Sequence, residues 1–272
     1  MIGIGKNIFK SNVKVGTAAP VYDADAQAYF TANTAITSDA DKTAINDFYL
    51  GLKTDGVYTK LKVMNLPIWG SASTCKWNLV NPLDTDAAFR AVYSTGFTFS
   101  SGGIQGNGTS AYIDIFFIPS AVVTQNDFSY GFYSRTTRAG SNTINAMGVD
   151  QTTIRSRLNL MSGSGTVMTG SVNGSDNSTF AVSDTKGFYQ VSRTLSTSIN
   201  RGVNTYTNVL NNSTGINNIN FVIFAQNRNN IIERYETVQC AFFYLANGLT
   251  IAEMDNFKTR VNTLMTYFGI NV

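Results

Sequence analysis

The apolar and polar positions of the chain fall into three textures. Residues 1–20 carry small residues, lysines and one proline without periodicity, and read as an amino-terminal arm. Residues 21–60 show helical spacing. Asp23-Ala-Asp-Ala-Gln-Ala-Tyr-Phe opens one helix, and Ser38 with Asp41 three residues later marks the start of a second. In that second helix Ile45, Phe48, Tyr49 and Leu52 share a face until Gly56 ends it.

From residue 61 to 272 the texture turns to short runs of Val, Ile, Phe, Tyr and Thr between Gly, Asn and Ser. β-branched and aromatic residues fit a pleated, half-buried surface, so these runs predict strands. They are Leu61–Trp69, Phe89–Tyr93, Ala111–Phe117, Ser129–Arg135, Ile154–Met161, Gly187–Leu195, Ile219–Ala225 and Thr237–Ala246. Turn signals stand between them at Gly102-Gly103, Gly106-Asn-Gly108, Ser162-Gly-Ser-Gly165 and Asn173-Gly174. The pattern predicts a mainly β fold, a sandwich or jelly roll behind a short helical preface.

Two runs, Phe221-Val-Ile-Phe-Ala and Cys240-Ala-Phe-Phe-Tyr-Leu-Ala, are apolar at every position, where a strand backed by water would alternate. Their second face needs a cover, and the helices are the cover the sequence offers. The carboxy-terminal helix is the best suited. Thr250 and Glu253 form a capping box, Leu249 can staple to Met254, and Gly269 supplies the stop. Between them Met254, Phe257, Val261, Leu264, Met265 and Phe268 make the apolar stripe of a packing helix.

With 272 residues and 43% hydrophobic content, the chain is long enough to bury a sizeable core. Its net charge of +3 is spread without a run of like charge, which is no footprint for nucleic acid. No histidine is present, and this removes Ser-His-Asp and Cys-His nucleophiles and imidazole zinc ligands. Cys75 and Cys240 are too few for a zinc site or a disulfide framework; buried apolar thiols are expected, with a bridge between them left open. No apolar stretch suits a signal peptide or a membrane span, so synthesis and assembly in the cytoplasm are expected.

Carboxylates decide the question of catalysis. Glycoside hydrolysis on a sheet would need acids at alternate positions of one strand, because alternate side chains share a face and retaining hydrolysis needs carboxyls about 5 Å apart. The chain has only Glu233, Glu236 and Glu253 as glutamates; the last belongs to the helix cap, and the odd spacing of the first two points them to opposite faces of a regular strand. The pairs Asp23/Asp25, Asp39/Asp41 and Asp84/Asp86 sit at helix starts or in a turn, which explains them without calcium. No catalytic residue, cofactor or metal is expected.

The polar, uncharged loops at Asn173–Asn177, Asn211–Asn220 and Asn227–Asn230 suit turns, and their amides can also donate to and accept from sugar hydroxyls. Exposed aromatic rings could stack on sugar faces. The candidate glycan-binding residues are Asn173, Asn177, Asn227, Asn229, Tyr130 and Trp77.

The order of segments adds a resemblance. Asp23-Ala-Asp-Ala-Gln-Ala, Leu52-Lys-Thr-Asp-Gly-Val-Tyr, Lys60-Leu-Lys-Val-Met-Asn-Leu-Pro-Ile-Trp-Gly and Ser73-Thr-Cys-Lys-Trp-Asn-Leu-Val-Asn-Pro resemble the opening of a recurring phage structural module. Gly106-Asn-Gly-Thr-Ser-Ala-Tyr-Ile-Asp, Phe128-Ser-Tyr-Gly-Phe-Tyr-Ser-Arg-Thr, Val191-Ser-Arg-Thr and the closing Gly248-Leu-Thr helix are similar to its later landmarks. The likeness runs over residues 21–272. It implies a concanavalin A-like lectin/glucanase jelly roll at residues 61–272, a helical preface at 21–60 that could anchor it, and a place in a bacteriophage virion as a spike, fibre, tail or capsid decoration protein. Other virion proteins, further copies of the chain in a trimer or other cyclic assembly, and host surface glycans are the implied partners. Glycan depolymerase is the alternative activity, since this superfamily hosts lectins, hydrolases and structural pieces alike.

Overall fold

A computed structural model of the protein describes residues 20–138, 144–160 and 167–272. The arm expected at residues 1–20 and the turn expected at Ser162–Gly165 lie almost wholly outside these residues.

Two helices come first, α1 (Ala24–Ala32) and α2 (Asp39–Thr54). Each starts where a side chain satisfies an orphan backbone donor: Asp23 accepts from the Asp25 N–H and Ser38 from the Asp41 N–H. The β region opens with β1 (Leu61–Asn65), the short turn α3 (Ala72–Cys75), β2 (Val92–Tyr93), β3 (Phe97–Ser100), β4 (Gly103–Gly106) and β5 (Ile113–Phe117). After α4 (Pro119–Val122) come β6 (Phe128–Ser134), β7 (Met147–Gln151), β8 (Ile154–Asn159), β9 (Val167–Gly174) and β10 (Ser178–Ala181). Next are β11 (Gly187–Arg193), β12 (Ser198–Val203), β13 (Thr205–Leu210) and β14 (Phe221–Ile223). The last elements are β15 (Gln226–Arg228), β16 (Ile231–Glu233), β17 (Gln239–Ala246) and α5 (Ile251–Tyr267).

The strands form two sheets. One has the order β13-β12-β11-β6-β17-β4-β3, with β1 also paired to β17; the other runs β10-β9-β8-β7-β14-β5-β2, with β15 attached to β7 and β16 paired to β15. Pairing is antiparallel throughout except where β15 runs parallel to β7. The architecture is the mainly β sandwich that the pattern predicts.

Strand β17 shows how the layers are held. Its neighbours on both sides, β6 and β1, make it central, and its residues divide between two cores. Cys240, Phe243 and Leu245 join the core between the sheets, whereas Phe242, Tyr244 and Ala246 join the core under the helices. A register shift between Cys240 and Phe242 places Ala241 and Phe242 on the same side. In the helix-side core Phe257 of α5 meets Phe188, Phe242 and Tyr244 with ring centroids 5.6, 5.8 and 4.7 Å apart. The capping box of Thr250 and Glu253 is formed, and Met254, Phe257, Val261, Leu264 and Met265 are the buried stripe. Helix α2 lies beside α5, tied to it by Arg260, whose guanidinium reaches Asp55 at 2.8 Å.

The run Phe221–Ala225 is a different case. It belongs to the sheet remote from the helices, so they do not cover it. The strand stops at Ile223, and Phe224 takes a left-handed φ of 66°, which turns its ring into the intersheet core beside Phe97 and Phe132. A continuous apolar run here marks a strand that breaks, with both fragments facing inward.

Several predicted strands are shorter than expected. Leu61–Trp69 ends at Asn65, whose side-chain amide donates to the carbonyls of Cys75 and Trp77. Phe89–Tyr93 contracts to Val92–Tyr93 because Phe89 adopts φ 58°. Conversely, β3, β4, β7, β9, β10, β12, β13, β15 and β16 lie outside the predicted runs, most of them in stretches rich in Ser, Thr, Asn and Gly. Among the described residues, no helix is long and apolar enough to cross a membrane.

Candidate functional site

The six candidate glycan-binding residues divide by position. Tyr130 has no exposed surface; its ring packs against Phe128 and Phe221 and its hydroxyl donates to the Ser171 carbonyl. It offers no face to a sugar, which corrects that expectation. Its position on β6 points it into the intersheet core, and burial holds its phenol well above the ordinary range. Asn173 is also fully buried, at the end of β9 and not in an open turn. Its amide accepts from Ser156 Oγ at 2.9 Å and donates to the Gln125 carbonyl at 2.9 Å, while its φ of 53° is one that Asn tolerates. Asn227 is 4% exposed and donates to the Asn220 carbonyl. Tyr130, Asn173 and Asn227 are therefore parts of the framework.

Trp77 is half-buried against the helix-side core, with the Lys76 ammonium 4.7 Å from its ring centroid. It borders a shallow groove with α1 and residues 81–84, to which none of the Asn loops contributes. Asn177 and Asn229 remain exposed. Both stand beside a polar array on the outer face of the second sheet.

The array is built by strand alternation. Leu158 on β8 faces the intersheet core, so Arg155 and Arg157 face outward, and on β7 Val149 points in and Asp150 out. Antiparallel register sets Asp150 opposite Arg155 and Gly148 opposite Arg157. A methyl group added at Gly148 would lie 2.6 Å from Arg157 Cβ, so the absence of a side chain there lets Arg157 lie across β7. Arg157 donates to Asp150 Oδ2 at 3.2 Å, to Gln226 Oε1 at 3.3 Å and to Asn177 Oδ1 at 3.1 Å. Gln226 Nε2 donates to Asp150 Oδ2 at 3.2 Å, and Gln226 Oε1 accepts from Asn145 at 2.7 Å. Arg155 stands 3.6 Å from Asp150 and donates to the Ser175 carbonyl at 2.6 Å. On the adjoining hairpin Glu233 pairs with Arg228 at 3.7 Å and Arg234 at 3.3 Å. Arg155, Arg228 and Arg234 expose about a third to a half of their side chains, and Arg157 much less. Burial pushes the Arg157 guanidinium below its ordinary pKa; Asp150 opposes that shift, and Arg155 and Arg234 add to it.

The sequence carried a signal for this array. Ile154-Arg-Ser-Arg-Leu puts two arginines at the alternate positions of one strand, hence on one face. Attention to asparagine loops missed it.

Carboxylates elsewhere are held by local partners. Asp23 and Asp25 both meet Lys53, at 2.7 and 2.6 Å, and Asp84 and Asp86 bind Lys76 and Arg90. Asp39 and Asp41 lie in the first turn of α2. Glu236 is fully buried in the loop before β17, 3.5 Å from the Arg138 guanidinium, with its other oxygen accepting from the Thr237 N–H at 2.8 Å. Burial raises its carboxyl, and Arg138 works against that shift. With no exposed surface it has no access to a substrate. Cys75 and Cys240 are free, buried thiols, both raised by burial. Among the described residues, no group of three or more acidic or cysteine side chains is arranged to hold a metal.

No known family profile matches the chain, and no curated protein matches it. Among solved structures it is similar to domain 4 of an extracellular arabinanase from Geobacillus stearothermophilus in complex with arabinotriose, at 13% identity over 62% of this chain and 81% of that one, with a TM-score of 0.41. It is also similar to a Trypanosoma rangeli sialidase, at 9% identity over 82% of this chain and 40% of that one, TM-score 0.45. A third is full-length tailspike protein 2 of an Escherichia coli O157:H7 bacteriophage, at 10% identity over 66% and 26%, TM-score 0.33. The chain thus spans less than half of the sialidase and tailspike chains.

Proposed function

We propose that the protein is a non-enzymatic structural component of a bacteriophage particle whose β-sandwich presents a glycan-binding face. The observation that carries the reading is the array around Asp150 and Arg157, where exposed amides at Asn177 and Asn229 border guanidiniums fixed on strands. Amides and guanidiniums on a rigid sheet supply the preplaced donors and acceptors that sugar hydroxyls require, and rigidity lowers the ordering cost of binding.

The virion setting rests on the segment order of residues 21–272 and its likeness to the phage structural module. The helical layer of α1, α2 and α5 backs the sheet remote from the array, so attachment to other virion proteins through it leaves the glycan face free. Cyclic assembly would multiply a weak single-site affinity into avidity. Against a depolymerase stands the occupation of the two carboxylates inside the array: Asp150 is held by Arg157 and Gln226, and Glu233 by Arg228 and Arg234, which leaves the exposed Asp176 at its border without a second free acid in the array. Hydrolysis of a glycoside requires one carboxyl free to deliver a proton and a second free to attack or to activate water.

Two observations on one preparation test the reading. The chain should appear in mass spectra of purified particles, and the isolated, folded chain should bind polysaccharide stripped from the host surface. Absence from particles removes the virion role, and absence of binding removes the glycan role.

A further inference from the structure

The array is not electrically neutral. Within its ion-pair network four guanidiniums, Arg155, Arg157, Arg228 and Arg234, face two carboxylates, Asp150 and Glu233. Asp176, one residue before Asn177, makes no ion pair with them among the described residues. The four cations come from separate pieces of chain that the sheet brings together: β8 supplies two, β15 one, and the turn after β16 the last. Parallel pairing of β15 with β7 aligns Arg228 with Asp150, and the Asn145 N–H binds the Arg234 carbonyl beside Gln226.

Arg157 is the fixed centre, committed to Asp150, Gln226 and Asn177. Arg155, Arg228 and Arg234 around it keep exposed donors; each guanidinium carries five N–H groups, and only part of that capacity is used by the bonds and ion pairs described. The unspent positive charge lies on a sheet face, at an arrangement of planar forks matched to carboxylates.

We propose that this cluster recognises the carboxylates of an acidic polysaccharide, with Arg155, Arg228 and Arg234 as the contacting groups and Asn177 and Asn229 reading adjacent hydroxyls. The inference rests on the glycan-binding reading and narrows it to uronate- or sialate-bearing chains. Nucleic acid shares the negative charge but is less well suited, because the exposed side chains beside the cluster, Asp176, Asn177, Asn229, Asn230 and Ile231, include no ring on which a base could stack, and the half-buried Tyr235 has its hydroxyl engaged by the Ile232 carbonyl.

The test uses the full chain with alginate, polygalacturonate, hyaluronate and polysialate, each beside its carboxyl-esterified form, together with a single-stranded DNA oligonucleotide. At least one acidic polymer should bind roughly tenfold more tightly than its ester, with affinity that falls as salt rises. The triple variant Arg155→Gln/Arg228→Gln/Arg234→Gln should lose at least about tenfold of that affinity while its melting temperature stays close to that of the wild type. Each single Arg→Gln variant keeps the test usable if the triple variant misfolds. Equal binding of acid and ester, or binding of DNA as tight as that of any polysaccharide, overturns the proposal. Selective binding of neutral glycans overturns it and leaves the broader reading standing, whereas binding to no glycan removes both.

Discussion

Arg193 and Asn211 are joined twice: Nη2 of the arginine donates to the Asn211 side-chain oxygen at 2.7 Å, and Nη1 donates to the Asn211 carbonyl at 2.7 Å. The guanidinium has no exposed surface and also donates to the carbonyls of Val172, Leu195, Ser196 and Ser198. No carboxylate pairs with it among the described residues. Burial pushes it down to about 10. The carbonyl cage ties together β9, the β11–β12 connection and the end of β13, so a cation serves as a clasp between the two sheets.

Replacing the clasp by an apolar side chain of similar length takes the guanidinium donors away from those carbonyls, of which Ser196 keeps the Ser213 N–H. Arg193→Met should cost about 3–5 kcal/mol of unfolding free energy, the range for breaking a buried charge network. Arg193→Lys should also destabilise, since an ammonium has three donors and no planar fork. Urea denaturation of both variants checks this. A loss under about 1 kcal/mol for Arg193→Met would mean that the cage contributes little.

The bond between Arg260 and Asp55 gives the stability a pH dependence. Hydrogen bonding to Arg260 lowers the Asp55 carboxyl below its ordinary 3.8, with burial opposing. Its contribution is therefore fully present above 3.8 and is lost as pH falls through the lower, folded value. Asp55→Asn should cost about 0.5–1 kcal/mol at neutral pH, and its difference from wild type should vanish in strong acid. Thermal melts from pH 7 down to pH 2 read the effect.

Phe257 ties α5 to the sheet through Phe188, Phe242 and Tyr244. Phe257→Ala should cost about 3–5 kcal/mol by leaving a cavity at the centre of that core. If the helix were a loosely attached appendage, denaturant midpoints of wild type and variant would coincide.

Tyr130→Phe removes the hydroxyl that serves the Ser171 carbonyl. A stability loss of about 1–3 kcal/mol is expected, with glycan binding unchanged, because the ring lies inside the sandwich. Calorimetry of unfolding and of binding on the same variant separates the two effects.

These positions also show which parts of the molecule were legible in the sequence. Helix α5 was, because its cap, stripe and stop all lie within 20 residues and depend on local chemistry. The two-sided burial of β17 was visible as an apolar run that does not alternate. Strands β12 and β13 were not: no strand is predicted over Ser198–Leu210, yet Asn200 is 6% exposed, donates to the Leu249 carbonyl and accepts from Asn208. A polar strand whose amides are satisfied across the sheet looks like a turn until its partners are known. Tyr130 failed as a site candidate for the converse reason, since an aromatic residue signals core and binding surface alike. The alternation of Arg155 and Arg157 was legible as one strand face, but their meeting with Asp150 and Arg228 needed register between β7, β8 and β15, which no local pattern carries.

If the sandwich holds a glycan without cutting it, as proposed, the bound polymer keeps its chain length. After prolonged incubation of the folded protein with a polysaccharide it binds, size-exclusion chromatography should return the polymer at its starting length with no new reducing ends. Progressive shortening of the polymer would contradict the account.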